Sequence, residues 1–157
     1  MRITLQSRRV FRLKGVLSWQ GIELVGLKKE VVFCNIYAAN VEVVRKELWD
    51  YICNVQVLFL MPWCIGEDFN MVFDPSEQKR VGCNLGSVRN FNSLMIKAKV
   101  VNLSLLGIPF TQSNNKDIES WARLDRFLIS TKILAWFPSL IQKRLSRSLS
   151  NHNAILL

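Results

Sequence analysis

The sequence predicts an α+β fold, with layered strands and helices in one domain. Its 157 residues are enough to bury the core of a single domain. Of these residues, 50% are apolar and 21% are charged, a balance that excludes a disordered chain. Segments with strand character and amphipathic helical segments follow each other in a mixed order, which is typical of α+β domains.

The first half of the chain predicts a strand followed by a helix. Val31 to Tyr37 is rich in β-branched and aromatic residues and predicts a buried strand. Asn40 can cap a helix from about Val41 to Val55, in which apolar residues recur at helical spacing. Before this strand, segments 16–19 and 21–27 are weak strand candidates.

A second series of elements begins with the apolar run that ends in Asp68. This run predicts a strand, and a polar loop over residues 74–80 follows it. An amphipathic helix is predicted from Val88 to Lys99. The remaining predicted elements are short: strands at 100–103, 108–111 and 123–129, a brief helix that Ser130 caps and Pro138 ends, and a last strand at 154–157.

The chain carries a net charge of +9, from 21 Lys and Arg against 12 Asp and Glu. This excess favours anionic partners, nucleic acid above all, because basic side chains bind phosphates and release their counterions. A basic, solvated surface with no specific partner explains the same charge. Charge alone therefore names no substrate.

Hydropathy and cysteine spacing predict an intracellular protein with no membrane partner. No apolar run is long enough to span a bilayer, and basic residues interrupt any N-terminal signal peptide. The cysteines at positions 34, 53, 64 and 83 have no paired short spacing, and the chain has a single histidine. We therefore expect reduced, mostly buried thiols rather than disulfides or a zinc site.

Asp68 and Asn70 form the most informative polar pair, because they directly follow the apolar run. Successive side chains of a strand point to opposite faces, so residues two apart share one face. A carboxylate can hold a divalent cation or take a proton, and an amide can donate to a phosphate oxygen. An ordinary turn after the strand is the alternative interpretation of the same residues.

Polar clusters lie at the ends of four predicted strands, at residues 35–40, 66–70, 123–127 and 149–152. In this order they resemble the endonuclease/exonuclease/phosphatase superfamily. The branch that looks most similar is the endonuclease domain of plant LINE-type (non-LTR) retrotransposons. Three further segments share this resemblance: Pro62–Gly66, Asp74–Glu77 and Leu105–Thr111. The resemblance extends from about residue 20 to the C-terminus.

The resemblance implies a partial two-sheet β-sandwich flanked by helices, with the active site at one end between the sheets. The chemistry that it implies is Mg²⁺-assisted attack of water on a phosphodiester. Magnesium is therefore the expected cofactor and DNA the expected partner, with no small-molecule cofactor beyond a divalent metal.

The same resemblance implies roles for four residues near the substrate. Tyr37 looks like the tyrosine that contacts the reacting phosphate, and Asn40 resembles a nearby substrate-contacting asparagine. Asp68 looks like the residue that aligns or deprotonates the attacking water. Asn70 looks like the amide that binds and steadies the phosphate.

His152 resembles the histidine that stabilises the charged transition state, and Asp125 looks like its orienting partner. A neighbouring carboxylate favours the charged imidazole and fixes its ring, as stabilisation of an oxyanion requires. The residues alone leave other interpretations open. His152 could be a surface residue, Asp125 could pair with Arg123 or Arg126, and Tyr37 could close a core strand with its hydroxyl in water.

The chain departs from the family in three places. The first strands, which would carry an asparagine and the main Mg²⁺-binding glutamate, have no counterpart before Tyr37. Asn151 stands where the family has an aspartate, so Asp68 and Asn151 remain as a weak metal pair. Glu67 replaces a glycine, and the period of two along a strand is expected to point it away from Asp68.

These features predict a single incomplete domain over residues 1–157, a truncated, degenerate Mg-dependent DNA endonuclease of retrotransposon origin with weak or no activity. An enzyme that nicks chromosomal DNA would act in the nucleus. Two alternatives stay open. One is a non-catalytic basic nucleic-acid-binding module, which Lys143, Arg144 and Arg147 near His152 favour. The other is a phosphate esterase that acts on small molecules.

Overall fold

The computed structural model describes residues 5–13, 17–80, 82–114, 119–145 and 151–157, the first segment by its backbone alone. The helices of this part of the chain are α1 (Glu42–Val57), α2 (Leu85–Ala98) and α3 (Thr131–Trp136). Its strands are β1 (Leu5–Leu13), β2 (Leu17–Leu24), β3 (Lys29–Tyr37), β4 (Trp63–Asp68), β5 (Gln78–Lys79), β6 (Val100–Asn102), β7 (Leu105–Leu106), β8 (Gln112–Ser113), β9 (Trp121–Ala122), β10 (Asp125–Ser130), β11 (Gln142–Arg144) and β12 (Ile155–Leu156).

The largest sheet has six strands in the order β1-β2-β3-β4-β10-β6. Its first three strands form an antiparallel meander, and the chain then passes from β3 through α1 into the parallel strand β4. β10 lies antiparallel to both β4 and β6. Because β3 and β4 run parallel, their C-terminal ends reach the same end of the sheet, and β10 begins there.

The helices α1 and α2 pack on one face of this sheet and enclose most of the core. Trp49 of α1, Phe69 after β4 and Phe91 of α2 are buried together, with ring centroids between 5.3 and 6.0 Å apart. Tilted aromatic pairs at such distances stabilise a core by about 0.5–1.5 kcal/mol each beyond their buried area. This cluster holds the residues after Asp68 against the two helices.

The opposite face of the sheet carries a second core. Val31, Cys64 and Ile129 are buried on it, one from each of three neighbouring strands. Leucines that flank the strands of a smaller sheet, of order β12-β11-β7, pack against this face together with α3. The predicted α+β fold, a partial two-sheet sandwich flanked by helices, is confirmed.

A third sheet joins β5, β9 and β8 and begins in the segment predicted as a polar loop. The Asp74 carboxylate accepts hydrogen bonds from the backbone N–H and the hydroxyl of Ser76, at 2.9 and 2.6 Å. These bonds begin a 3-10 turn over Pro75–Glu77, which leads directly into β5. The segment is therefore ordered by local side-chain bonds rather than extended as a loop.

Several local predictions were wrong. Asn40 does not cap α1, because the helix begins one residue later, with Val41 at its N-cap position and no side-chain cap. Ser130 stands at the N-cap position of α3, as predicted, but its hydroxyl accepts a hydrogen bond from the N–H of Trp63 and makes no side-chain cap. Residues 108–111 form an irregular, bent segment rather than a strand, since Gly107 has a φ of +99° and Pro109 has no N–H.

The four cysteines are free, as the sequence predicts. Cys34 and Cys64 are buried, and burial raises the pKa of each thiol to about 12. Across the residues that the structure describes, no helix has both the length and the apolar character that crossing a bilayer requires.

Candidate active site

Three of the predicted site residues form one row across neighbouring strands. Tyr37 at the end of β3 pairs with Asp68 at the end of β4, and Asp68 pairs with Asp125 at the start of β10. Residues in register on adjacent strands project from the same face of a sheet. The sheet therefore brings these three side chains together at the end where the parallel strands stop.

His152 joins this row through Asp125. Its Nδ1 lies 2.9 Å from Oδ2 and 3.2 Å from Oδ1 of the Asp125 carboxylate. Its Nε2 lies 2.9 Å from the amide nitrogen of Gln112. An N–H at Nδ1 that donates to Asp125, with Nε2 accepting from Gln112, satisfies both contacts of the neutral ring.

Thr111 holds both halves of this pair in place. It is fully buried, and its Oγ1 accepts hydrogen bonds from the N–H groups of Leu124 and Asp125, each at 3.0 Å. Its backbone carbonyl accepts from the N–H of Asn153 at 2.7 Å and from the Asn153 side chain at 3.0 Å. Thr111 thus holds the backbone of Asp125 and of Asn153, the residue that directly follows His152.

Asp68 is buried, with 5% of its surface exposed. Its Oδ1 accepts a hydrogen bond from the N–H of Asn70 at 2.8 Å. Burial raises the pKa of this carboxyl group, and the nearby charge of Asp125 adds to the rise. The Asn70 N–H and His152 act in the opposite direction. Asp68 is therefore a carboxylate that binds a proton more readily than an exposed aspartate does.

Glu67 lies in the same cleft as Asp68, which corrects the expectation that it points away. It has a φ of +89°, outside the extended region, so the simple alternation of a strand fails at this residue. Its side chain lines the cleft together with Asp68 and Asp125. Burial raises the pKa of the Glu67 carboxyl group, and the charges of Asp125 and Asp68 raise it further.

The cleft at the end of the sheet has a volume of about 670 Å³. Its walls include Asn35 and Phe127, and the side chains that give it chemical character are Tyr37, Glu67, Asp68, Asp125 and His152. Tyr37 is 62% exposed, which places it at the open side rather than in the core. An exposed phenol, three carboxylates and a histidine can bind a phosphate ester only if positive charge offsets the acids.

The donor atoms of this cleft fit a hard divalent cation. Ligand atoms of Asp68, Asp125 and His152 lie within 4.8 Å of one another. Burial raises the pKa values of Asp68 and Glu67, and repulsion between the neighbouring carboxylates adds to the rise; a bound cation would relieve that repulsion. Carboxylate oxygens are the ligands that Mg²⁺ prefers in proteins.

Among the described residues that line the cleft, Asn40, Asn70 and Asn151 are not found. Asn40 and Asn70 line a neighbouring cavity of about 470 Å³, and the Asn70 amide donates to the carbonyl of Ala38 at 2.7 Å. Asn151 is exposed, and its carbonyl accepts a hydrogen bond from the N–H of Ser113. The substrate and metal roles of these three residues stay predictions.

Asp125 pairs with His152, whereas Arg123 and Arg126 bind elsewhere. Both arginines contact the Glu77 carboxylate, at 3.3 and 2.8 Å. The alternative in which Asp125 forms an ion pair with one of these arginines therefore does not hold.

Sequence reasoning missed the roles of Thr111 and Gln112, and it placed Glu67 on the wrong side of the strand. Thr111 ends a segment that resembles the family, but nothing in its neighbours signals that its hydroxyl accepts two N–H groups 13 and 14 residues away. Gln112 contacts a histidine 40 residues further along the chain. The only available signal for Glu67 was its replacement of a glycine, which indicates an unusual backbone shape.

Comparison with solved structures places this arrangement in a known fold. AP endonuclease LMAP from Leishmania major matches with a TM-score of 0.70 and 11% sequence identity, over 98% of this chain and 60% of that chain. An endonuclease/exonuclease/phosphatase family protein from Bacteroides thetaiotaomicron matches with a TM-score of 0.57 and 15% identity, over 88% and 53%. The fold is that of the endonuclease/exonuclease/phosphatase proteins.

A further solved structure has the same fold. Truncated Caenorhabditis elegans TDP2 matches with a TM-score of 0.54 and 16% identity, over 96% of this chain and 65% of that chain. This chain therefore spans between about half and two thirds of the length of these endonuclease/exonuclease/phosphatase structures. No family model matches the sequence, and no curated protein matches it.

Proposed function

We propose that the chain is a degenerate, divalent-cation-dependent phosphodiesterase domain that acts on DNA, with activity far below that of an intact enzyme. The observation that carries the proposal is the assembly of Asp68, Asp125 and His152 in one cleft, with their ligand atoms within 4.8 Å. The solved structures with the same fold include an AP endonuclease, which supports a nucleic-acid substrate.

The residues of the cleft divide the chemistry of phosphodiester hydrolysis between them. Asp68 is buried and binds a proton readily, so it suits the acceptance of a proton from the attacking water. Asp125 orients the imidazole of His152 through Nδ1, and a proton carried by that ring would stabilise the negative charge of the transition state. Tyr37, at the open side, is placed to donate to a phosphate oxygen.

Asp68 is the residue that would hold the cation, with the Asp125 carboxylate beside it in the cluster of ligand atoms and Glu67 lining the same cleft. The sequence predicts Asn151 as a further, neutral ligand. When bound, a divalent cation supplies charge neutralisation at the phosphate and lowers the pKa of water. A beta toxin from Staphylococcus aureus with the same fold, at a TM-score of 0.54, has bound magnesium ions, which supports magnesium as the cation. Exposed Asn151 lies outside the cleft and cannot offset the charge of a cation, so we expect weak binding and slow turnover.

A retrotransposon origin of the LINE type belongs to this proposal. Its support is the set of family-like segments at Pro62–Gly66, Asp74–Glu77 and Leu105–Thr111, which frame the cleft residues in the sequence. On this interpretation residues 1–157 form one incomplete domain, and its substrate is chromosomal DNA in the nucleus.

Nicking of supercoiled plasmid DNA in the presence of Mg²⁺ or Mn²⁺ tests the proposal. We expect slow nicking that His152→Ala lowers by about 10²-fold or more, because one transition-state contact is lost. Asn151→Asp adds a carboxylate directly before His152 and is expected to raise the rate by attracting the cation to the cleft. Lys132→Ala, an exposed change on α3, serves as the matched control and is expected to leave the rate unchanged.

Nicking by a folded chain that His152→Ala leaves unchanged would contradict the proposal, because the activity would then come from another site or from a contaminant. Absence of nicking in the parent chain and in Asn151→Asp alike, by protein with a cooperative unfolding transition, would contradict the catalytic part. Two alternatives would then remain.

The first alternative is a non-catalytic nucleic-acid-binding module. The net charge of +9 favours it, together with Lys143 and Arg144 on β11, close in the fold to the segment that carries His152. DNA affinity that falls steeply with added salt, without any need for metal, would support this function.

The second alternative is an esterase for small phosphates. Mannosyl-6-phosphatase from Bacteroides thetaiotaomicron has the same fold at a TM-score of 0.51 and 17% identity. Competition by small phosphate monoesters against DNA separates the two substrate classes.

A further inference from the structure

A second cavity lies next to the cleft and has a different character. Its volume is about 310 Å³, and its walls include Lys79, Phe110, Trp121 and Arg144. Asn153, which directly follows His152, lines both this cavity and the cleft. We call this space the aromatic cavity, because the rings of Phe110 and Trp121 form its walls.

The small sheet of β5, β9 and β8 places these side chains together. Lys79 and Ser113 are both in register with Trp121, so the three residues form one row on one face of that sheet. The adjacent register row of the same sheet consists of Gln78, Ala122 and Gln112. This row lines the neighbouring cavity whose walls include Asn40 and Asn70. Trp121 and Gln112 line both spaces, so the aromatic cavity and that neighbouring space adjoin at the small sheet.

Cations lie directly over both aromatic rings. The Lys79 ammonium is 5.4 Å from the centroid of the Phe110 ring, and the Arg80 guanidinium is 5.8 Å from the Trp121 ring. Lys79 and Arg144 are the two cations that line the cavity, and Glu119 is the one acid among the described lining residues. The charges of the lining residues therefore sum to an excess of positive charge, in contrast to the acidic cleft beside it.

Aromatic rings that alternate with cations are what single-stranded nucleic acid requires of a protein surface. Bases of any sequence stack on aromatic side chains, and phosphates pair with lysine and arginine. Asn153, which is buried, accepts a hydrogen bond from Arg144 at 3.1 Å and thereby holds that guanidinium at the wall of the cavity. A simple anion site would need no rings, and an apolar ligand would need no cations.

We propose that the aromatic cavity is a nucleotide subsite, in which Trp121 stacks with an unpaired base and Lys79 and Arg144 bind its phosphate. The inference rests on the proposed function, since it places this nucleotide beside the phosphodiester in the acidic cleft. It adds a site for unpaired nucleotides outside the carboxylate and histidine cluster. Binding at this subsite offsets the repulsion between the DNA phosphates and the carboxylates of Glu67, Asp68 and Asp125 in the cleft.

Fluorescence anisotropy with a labelled oligothymidine of about ten nucleotides, in EDTA so that no metal-dependent cleavage occurs, tests the proposal. Trp121→Leu is expected to weaken binding by about 10-fold, the usual loss for one stacked base, while Trp121→Phe retains most of the affinity. Lys79→Gln is expected to lower the salt dependence of binding by about one phosphate contact.

The chain offers a matched control pair at Trp136, whose ring also carries a lysine, Lys29, at 4.9 Å. Trp136→Leu and Lys29→Gln remove the same kinds of group on α3 and β3, away from the aromatic cavity, and are expected to leave oligothymidine affinity within about twofold of the parent chain. A blunt duplex of the same length is expected to bind Trp121→Leu and the parent chain equally, because a paired base cannot enter the cavity.

Equal weakening by Trp121→Leu and Trp136→Leu would overturn the proposal, as would undiminished binding by Trp121→Leu. Loss of affinity in Trp121→Phe as well as in Trp121→Leu would also contradict stacking. Since the assay needs neither metal nor turnover, a chain that binds oligothymidine through Trp121 but does not nick plasmid separates this subsite from the catalytic proposal.

Discussion

Glu67 is the residue at which conformation and charge are both unfavourable. A φ of +89° is rarely adopted by a residue with a β-carbon, and such positions cost about 1–3 kcal/mol. Its carboxylate also lies near those of Asp68 and Asp125. Strain and repulsion of this kind persist where the surrounding structure fixes the backbone, and they are concentrated at functional sites.

Glu67→Gly should therefore stabilise the protein. Glycine adopts this φ without strain, and the change removes one of three crowded carboxylates, so we expect about 1–2 kcal/mol of added stability in urea unfolding. Glu47→Gly, in the exposed middle of α1, is the control and should lose about 1 kcal/mol. A Glu67→Gly protein that unfolds at lower urea than the parent would show that the side chain stabilises the fold.

Asp68→Asn should stabilise the protein in a way that depends on pH. The folded-state pKa of Asp68 is raised, so the folded state keeps its proton to higher pH than the unfolded chain does. Stability contributed by this group consequently falls as pH rises from the unfolded pKa through the folded pKa. The amide can still accept from the Asn70 N–H, and we expect a gain of about 0.5–2 kcal/mol at neutral pH.

The gain should vanish in acid, below the unfolded pKa of an aspartate, where the carboxyl group is neutral in both states. Urea unfolding of both proteins at neutral and acid pH measures this difference. Asp50→Asn, an exposed change on α1, should show no comparable change of its effect with pH. A gain that is the same at both pH values would exclude the buried charge as its cause.

At the scale of elements, Glu77 ties the 3-10 turn after β4 to the start of β10. Its carboxylate binds Arg126, which is fully buried, at 2.8 Å and Arg123 at 3.3 Å. It also accepts a hydrogen bond from the N–H of Phe73 at 2.7 Å. Burial, with the charge of Arg126, lowers the pKa of Arg123 to about 10, while Glu77 opposes that change. This network holds the segment that positions Asp125.

Glu77→Gln should destabilise the protein strongly. The change leaves Arg126 buried without a charged partner, and breaking one side of a buried ion pair costs about 3–5 kcal/mol. Thermal and urea unfolding measure the loss. Glu47→Gln on the exposed side of α1 should change stability by less than about 0.5 kcal/mol. Equal stability of the two variants would mean that the arginines are satisfied by their carbonyl contacts alone.

At the scale of the whole molecule, charge is unevenly distributed. The chain as a whole carries +9, yet its cleft contains three carboxylates. A polyanion would be attracted to the molecule over distances of about 10 Å but repelled at the cleft itself unless a cation is bound. The aromatic cavity beside the cleft offers a positively charged contact at short range. On this view nucleic acid is attracted by the basic surface and the aromatic cavity, whereas hydrolysis depends on the acidic cleft.

Much of the architecture could be predicted from the sequence, because local patterns determine local structure. The run that ends in Asp68 forms β4 with that residue as its last, and the two long helices lie within about three residues of their predicted bounds. β1 was not predicted, since its charged residues give no apolar alternation, and its pairing with β2 provides the hydrogen bonds instead.

The sequence patterns by themselves determined the α+β class and the ends of the strands at which polar residues collect, and the family resemblance implied the sandwich. The tertiary structure alone decided which of those residues meet. Register across β3, β4 and β10 aligns Tyr37, Asp68 and Asp125, whereas Asn151 stays at the surface. Periodicity and turn chemistry act over a few residues, while contacts such as His152 with Gln112 join positions 40 apart. Such contacts depend on strand pairing and packing, which local sequence does not specify.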